Sequence, residues 1–380
     1  MSLWVFIFIT YLKGLGYHML KVFEAFSGIG TQHMALRNLN LDYEVVAIAE
    51  IDKFAIKSYE AIHGKSNNVG DISKLKAENI PDHDLFTYSF PCQDISLAGR
   101  QKGFKKDSGT RSSLLWECNR VIELKKPKYL LLENVKNLVG KRFKDDFDDW
   151  LMHLETLGYT NYWQVVNAKD YGVPQNRERV FVVSILGEHD PYVFPEPLPL
   201  TIELKDILEK EVADKYYLSD DKVSTLKRNS QKKGRNFISQ PVQYNRKDGI
   251  GKDLKVGHTI NSSDWRGLNR NQTQNAVIAA SRGRYVKDDG YTGRRTEQHL
   301  ELNQQGTSNA LTTVQKDNYV IEPPFRLRKL TPKECWRLMG CTDEDFHKAE
   351  VVNSNTQLYK QAGNAIVVDV LEHLFRQLFL

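Results

Sequence analysis

Cysteine is scarce in this chain: four in 380 residues (Cys92, Cys118, Cys335, Cys341), with no Cys-x-x-Cys pair among them. That gives neither a zinc-ribbon spacing nor a disulfide framework, so no metal site and a reducing compartment are expected. Long apolar runs are missing as well. The one near the start, Leu3 to Ile9, has seven residues, against the roughly 20 that span a bilayer. No basic segment precedes it and no small-residue cleavage site follows, so a secretory signal is not expected. Residues 1–20 read as an accessory extension, or as an upstream start ahead of a functional Met19. Glutamate is absent from one long window. Between Arg228 and Arg295 fifteen Lys or Arg stand against five Asp and no Glu, a local +10 in a chain of net charge +5. The remainder therefore carries −5, and the basic window, interleaved with Phe237, Tyr244, Trp265, Tyr285 and Tyr291, suits a polyanion surface better than a solvated face of mixed charge.

What is present from Lys21 onward is an alternation of strands and helices. Val22–Phe26, Val45–Ala49, Asp84–Tyr88, Tyr129–Leu132, Tyr162–Asn167 and Val180–Leu186 read as strands. Helical spacing occupies Gln32–Leu39, Lys53–Ile62, Ser113–Leu124 and Phe147–Leu157. The uninterrupted run Tyr129-Leu130-Leu131-Leu132 is that of a strand covered on both faces. The alternation predicts an α/β fold with a mostly parallel, doubly wound sheet and helices on both faces. Periodicity fades after Gly187, where Pro191, Pro195, Pro197 and Pro199 mark a linker into the basic window. Two apolar pairs there, Val277-Ile278 and Val320-Ile321, hint at repeated strand pairing. Helices return at Thr331–Met339, with Thr331 as N-cap and Pro332 at the first position, and at Ala365–Leu378.

Four places carry chemistry. Phe26-Ser27-Gly28-Ile29-Gly30 joins the first strand to the first helix, and Glu50 stands 20 residues beyond Gly30, the spacing at which an acid takes ribose hydroxyls. His33 occupies the place of a third glycine, so a pyrophosphate cradle is disfavoured and an adenosyl ligand without phosphate fits better. Cys92, in Phe90-Pro91-Cys92-Gln93, sits where a buried strand opens into a loop stiffened by Pro91. On that stretch alone a buried structural thiol is an even alternative. Glu133-Asn134-Val135 ends the most apolar strand, where a carboxylate is costly unless neutral or hydrogen-bonded. Cys92 and Glu133 both fall at the carboxyl edge of the sheet, where ligands bind in such folds. Arg177 and Arg179 alternate just before the last strand, so at least one is expected to face the same crevice.

Taken with Gln361-x-Gly363-Asn364, these motifs resemble, in order and spacing, those of the DNA (cytosine-5) methyltransferases of prokaryotic restriction-modification systems and phages. The resemblance runs over Lys21–Leu186 and from Arg328 to the C-terminus, leaving out only the basic middle. It implies methyl transfer from S-adenosyl-L-methionine to carbon 5 of a cytosine flipped out of double-stranded DNA. Cys92 would add to C6, Glu133 would contact N3 and the exocyclic amine, and Arg179, joined by Arg177, would hold the O2 side. The cofactor would be lined by Phe26, Gly28, Ile29, Gly30, Glu50, Ile51, Asp71, Ile72, Pro91, Leu114, Asn364, Ala365 and Ile366. Ile51 stands where the family often has an aromatic against the adenine. Gln93 and Ser96 would meet DNA, and Arg266, Arg282 and Arg284 are the first candidates to read bases.

The resemblance also implies a Rossmann-like, mixed, mostly parallel sheet with helices on both faces, plus a smaller, strand-rich target-recognition domain. The implied division is an extension at 1–20, a catalytic domain of 21–190 with 357–380, and a target-recognition domain with its hinge at 191–356. A monomer in a prokaryotic cytoplasm, associated with the nucleoid, is expected, with no membrane partner. A cognate restriction endonuclease would act beside it without a stable complex. Three competing readings lose ground on particular residues. A nucleotide-dependent oxidoreductase lacks its third glycine. A transfer-RNA methylase would carry a shorter variable region and a Cys-Phe-Thr insertion. A non-catalytic DNA-binding descendant would not retain Cys92, Glu133 and Arg179.

Overall fold

The computed structural model describes residues 19–92, 95, 111–219, 242–245, 249–253, 277–285, 296–303, 308–309, 311, 318–322 and 326–380. Between 242 and 327 only the backbone path is described, Ser308 and Leu311 excepted. The extension up to residue 18, Gln93, Ser96 and Arg266 therefore lie outside the described residues. The chain divides into two compact units. One contains the described residues up to Val166 together with Arg179–Pro195 and Val370–Leu380; the other is formed by Asn167–Glu178 and Glu196–Asp369.

The first unit is built on a six-stranded sheet of order β2-β1-β3-β4-β7-β5. Its strands are β1 (Leu20–Ala25), β2 (Tyr43–Ala49), β3 (Leu85–Tyr88), β4 (Tyr129–Val135), β5 (Tyr159–Asn167) and β7 (Glu178–Leu186). β1 is parallel to both β2 and β3, and β3 is parallel to β4. β7 runs antiparallel to β4, the departure that makes the sheet mixed. Since β2 and β3 lie on opposite sides of β1, the chain reverses its direction of travel across the sheet there. That leaves an opening at the carboxyl ends of β1 and β3, where open α/β sheets take their ligands.

Helices cover the sheet because their apolar residues recur at helical spacing. α3 (Leu115–Lys125) buries Leu115, Cys118, Val121 and Ile122, and α4 (Lys144–Thr156) buries Phe147, Trp150, Leu151 and Leu154. The strands answer with stacked rings: Phe23 lies 5.0 Å from Phe86, and Phe86 lies 5.2 Å from Tyr88. α1 (Thr31–Asn38) and α2 (Lys53–His63) follow β1 and β2. α2 is started by the Asp52 carboxylate, which accepts from the Phe54 amide, and ended by Gly64 at φ 91°. The last turns of α9 (Val368–Phe379) return to this unit, with Phe379 edge-on to Tyr129 at 5.2 Å and Glu372 accepting from Asn38.

The second unit carries a four-stranded antiparallel sheet, order β11-β10-β13-β14, of β10 (Val277–Tyr285), β11 (Thr296–Asn303), β13 (Asn318–Glu322) and β14 (Arg326–Lys329). The two apolar pairs of the sequence pair with each other, Val277 opposite Ile321 and Ile278 opposite Val320. Arg282 and Arg284 fall on β10, opposite His299 and Glu297 of β11. β8 (Val242–Asn245) and β9 (Gly249–Asp253) form a separate hairpin, and β6 (Gln175–Asn176) pairs with β12 (Ser308–Asn309). α5 (Leu204–Ile207) lies in the chain between β7 and β8, and after β14 come α6 (Pro332–Arg337), α7 (Asp343–Glu350) and α8 (Asn355–Asn364). α8 belongs wholly to this unit, as does the chain from 357 to 369.

α6 starts as the sequence predicts. The Thr331 hydroxyl accepts from the Glu334 amide, the Glu334 carboxylate accepts from the Thr331 amide, and Pro332 takes the first helical position. The same carboxylate accepts from both terminal nitrogens of Arg328 at 2.8 and 2.9 Å, and both side chains are completely buried. A fork-to-fork pair of this kind is tolerated in the interior because every lone pair finds a donor; the Glu209 amide supplies another at 2.9 Å. Arg328→Met should cost about 3–5 kcal/mol, since it strands the Glu334 charge in the interior. Lys74→Met, at an exposed pair with Asp71, should change stability by less than about 1 kcal/mol. Urea denaturation of both variants checks this, and equal midpoints would show that Glu334 is not held by Arg328.

Candidate active site

β3 ends at Tyr88, and the chain then turns through Phe90 and Pro91 to Cys92. Three successive carbonyls of this turn each have a donor. Phe90 accepts from the Asn134 amide group at 3.0 Å, Pro91 from the Ser112 hydroxyl at 2.6 Å, and Cys92 from the Ile95 amide at 3.0 Å. The Ile95 carbonyl is held in turn by the Asn137 side chain. Cys92 is thus a half-buried thiol on a pinned backbone, whereas Cys118, Cys335 and Cys341 are buried. Burial pushes the Cys118 and Cys335 thiols well above the ordinary range, as befits core residues.

Glu133 lies at the carboxyl end of β4, and the antiparallel course of β7 puts that strand's beginning beside it. In register, Val135 is opposite Arg179 and Glu133 is opposite Phe181, so Glu133 and Arg179 are diagonal neighbours on one face. Their side chains meet, Arg179 Nε to Glu133 Oε1 at 3.2 Å, with 19% and 11% exposure. Asn134, the residue between the carboxylate and the strand end, is the one that holds the Phe90 carbonyl. One strand end therefore fixes both the acid–guanidinium pair and the turn that carries the thiol.

Arg177 goes elsewhere. Its guanidinium is buried in the second unit and donates to the carbonyls of Leu311 at 3.1 Å, Gly363 at 3.2 Å and Ala365 at 2.9 Å. It belongs to the frame of that unit, whereas Arg179 stands beside Glu133. Gln175, at the start of the same motif, is also fully buried; it donates to Leu338 and accepts from the Leu311 amide.

The loop after β1 is shaped by left-handed backbone. Phe26 (φ 56°), Gly28 (φ 56°) and Gly30 (φ 76°) all adopt positive φ. A bulky residue in that region is an outlier, of a kind that gathers at ligand sites. Glu50 faces this loop: one carboxylate oxygen accepts from the Gly28 amide at 2.9 Å, the other from the Ile51 and Asp52 amides at 2.8 Å each. Asn68, to which the sequence reading gave no role, clamps Glu50 by its backbone, accepting from its amide and donating to its carbonyl. Asp71 takes the Ser73 hydroxyl and amide, and that hydroxyl holds its carboxyl below the usual range. Ile72 is buried and its carbonyl accepts from Arg120, while Ile51 is 72% exposed. Leu114 packs at the edge of the core. Asn364, Ala365 and Ile366 lie in the second unit, at the end of α8.

In the first unit, the Phe26–Gly30 loop and Glu50 fit an adenosyl group without a diphosphate. Ser27 has a buried hydroxyl with no partner among the described residues, inside the loop that Glu50 faces. His33, in place of a third glycine, lies within α1 with its ring stacked on His63 at 4.0 Å. Among the described residues no group of His, Cys, Asp or Glu could hold a metal ion, and no helix is long and apolar enough to cross a membrane.

Beneath the loop lies a buried polar chain. Glu24 of β1 is completely buried and accepts from the Tyr59 hydroxyl at 3.0 Å, and that hydroxyl also meets His33 Nδ1 at 3.1 Å. Burial drives the Glu24 carboxyl up to about 8 and the His33 imidazole down to about 4, so both are neutral near pH 7.

The profile of C-5 cytosine-specific DNA methylases matches residues 20–380. A type II methyltransferase of Lactococcus lactis subsp. cremoris, M2.ScrFI, is 38% identical, over 95% of this chain and 99% of its own. The orphan methyltransferase M.SPRI of Bacillus phage SPR is 34% identical, over 94% and 97%. Among solved structures, Schizosaccharomyces pombe Dnmt2 methyltransferase superposes with a TM-score of 0.62 at 20% identity, covering 95% of this chain and 98% of that one. A likeness at that identity bears on the fold alone.

The Glu24 carboxyl has a sign that can be tested. The unfolded chain loses this proton near the ordinary 4.5, the folded chain only at about 8. Native stability therefore falls as pH rises between those values and levels off above. Glu24→Gln cannot titrate, so it should gain on the wild type from pH 5 to pH 8, on the order of 3 kcal/mol in all. The melting-temperature difference measured at both ends reads this directly, and a constant difference would mean that Glu24 is ionised in the native protein.

Proposed function

The chain belongs to the C-5 cytosine-specific DNA methylase family and is a DNA (cytosine-5) methyltransferase; we propose that it works by covalent catalysis from Cys92 on a cytosine flipped out of duplex DNA. The observation that carries this reading is the shared anchorage at the end of β4, where Glu133 meets Arg179 and Asn134 holds the turn of Cys92.

In the proposed reaction the Cys92 thiolate adds to C6, and the electron pair of the C5–C6 bond moves to C5. Glu133 faces N3 and the exocyclic amine and favours the N3-protonated ring, which takes up the charge that develops. Arg179 orients Glu133 and holds the O2 side. The C5 pair then takes the methyl group that S-adenosylmethionine would supply, held by the Phe26–Gly30 loop, Glu50 and Asp71, and S-adenosylhomocysteine would be left behind. Loss of the C5 proton then returns the pair to the ring and expels Cys92 as thiolate. An ordinary thiol, with a pKa of about 8.5, is only a few per cent ionised at pH 7. The pinned backbone holds the Cys92 thiol in one place for the addition, which a mobile loop would not do.

The remaining assignments are proposals of the same reading. The chain acts as a monomer, in a restriction-modification or phage setting, with any endonuclease acting separately. Residues 191–356 read the target sequence. Bisulfite sequencing of DNA from a methylation-free host expressing the protein identifies the modified cytosine, and unmodified DNA from active expression would overturn the assignment of substrate.

Cys92→Ser should lower turnover by at least about a thousandfold, because a hydroxyl is scarcely ionised near neutral pH. Duplex binding should persist, since phosphate contacts supply most of the affinity. A duplex carrying 5-fluorocytosine should trap the wild type covalently, as fluorine cannot leave as a proton does. Trapping of the Cys92→Ser variant at the wild-type rate would remove Cys92 from the role. In the basic window, alanine at Arg266, Arg282 or Arg284 should cost roughly 1–3 kcal/mol at one base position if that side chain reads a base. If it meets phosphate, the log-log salt slope should flatten by about 0.9. Binding to cognate and scrambled duplexes at several salt concentrations separates the two, and no change at all three would put the reading surface elsewhere.

A further inference from the structure

The loop Phe26–Gly30 has a mechanical problem. Two left-handed glycines flank Ile29, and glycine resists no rotation, so the peptide between Ile29 and Gly30 would turn over readily if nothing held it. The structure holds it at both polar ends. The Gly30 amide donates to the Ser27 carbonyl at 2.8 Å, and the Ile29 carbonyl accepts from His63 Nε2 at 3.1 Å. A carbonyl only accepts, so His63 carries its proton on Nε2. The third restraint is the Gly28 amide on Glu50. Of the three, the one from His63 alone reaches in from the far end of α2, from a residue in none of the motifs.

His63 is itself held in place. Its ring stacks on His33 at 4.0 Å with 12° between planes, and lies 4.7 Å from the Tyr59 ring. His33 and Tyr59 share a hydrogen bond, and Tyr59 donates to Glu24 under the loop. Contact with the loop is close enough to dictate the residue opposite. A Cβ on Gly30 would lie 2.6 Å from His63 Nε2 and 2.6 Å from Tyr59 Cε2.

We propose that His63 is a positioning residue for the cofactor: by fixing the Ile29–Gly30 peptide it gives the loop its binding shape before the ligand arrives. This rests on the reading that the loop holds S-adenosylmethionine. Ordering the loop then occurs on folding, and binding does not have to supply it, which is how preorganisation raises affinity. His63 does not touch the reacting atoms, so its loss acts on affinity and not on the chemical step.

The test is calorimetric binding of S-adenosylhomocysteine by the full chain, with wild type, His63→Ala, His63→Leu and His63→Gln. Glutamine puts an N–H donor at a similar reach; alanine and leucine do not. The expected result is about tenfold weaker binding for alanine and leucine, the usual worth of one hydrogen bond at the upper end. Glutamine should stay within about threefold of wild type. KM for S-adenosylmethionine should rise in parallel, while kcat at saturation and duplex affinity stay within about twofold. If the wild type binds no S-adenosylhomocysteine, the cofactor reading itself fails. If the wild type binds and alanine and leucine bind equally well, or if glutamine is as weak as they are, His63 has no positioning role. Failure of both alanine and leucine variants to fold would also overturn the proposal, since the residue would then be holding the fold and not the loop.

Discussion

A carboxyl group at the end of a strand buried on both faces is costly unless a partner or a proton compensates it, and the placing of Glu133 against Arg179 governs much of the first unit. In a wholly parallel sheet the neighbour of β4 would also end there, and its first residues would lie at the opposite edge. Because β7 runs the other way, the start of that strand arrives where β4 finishes. The antiparallel insertion thus has a local electrostatic meaning. It brings Arg179 to the ligand edge without a long loop. Asn134 then couples this pair to the turn after β3, so the thiol, the acid and the guanidinium share one rigid support.

Much of this architecture is legible in the chain because it follows from short-range rules. The six strands of the main sheet announce themselves by apolar runs, and α6 by Thr331, Pro332 and Glu334 in the spacing of a capping box. The match of Val277-Ile278 with Val320-Ile321 was visible as a likeness, though not as a pairing partner. What the sequence hides is destination. Arg177 and Arg179 look equivalent in print, yet one guanidinium holds three carbonyls of the second unit and the other meets Glu133. α7 and α8 were missed because each is short and polar for much of its length, and their burial comes from tertiary contacts. Asn68, Ser112, Asn137 and His63 share a different reason. Each acts on a backbone group, and a side chain that serves a carbonyl or an amide leaves no motif of its own.

The interior of both units contains polar groups arranged by different logic. Arg328 and Glu334 form a fully buried ion pair in which the carboxylate is saturated with donors from Thr331, Glu209 and the guanidinium. Glu24 has fewer partners: one oxygen accepts from Tyr59 and the other has none among the described residues. Its proton supplies the missing compensation. The two cases mark the alternatives open to a carboxyl group removed from water, neutralisation by a partner or neutralisation by protonation.

The two glycines of the β1 loop look interchangeable in the sequence but stand under different constraints. Gly28 has positive φ and nothing within 4 Å of where a Cβ would sit, so its only demand is conformational, one that asparagine or aspartate can meet at modest strain. Gly30 has the same backbone demand and, in addition, two aromatic rings pressed against it. A larger residue there requires room from both position 63 and position 59 in the same step. Positions 30 and 63 are therefore epistatic: an evolutionary path that alters the loop has to pass through the end of α2, although 33 residues separate the two in the chain.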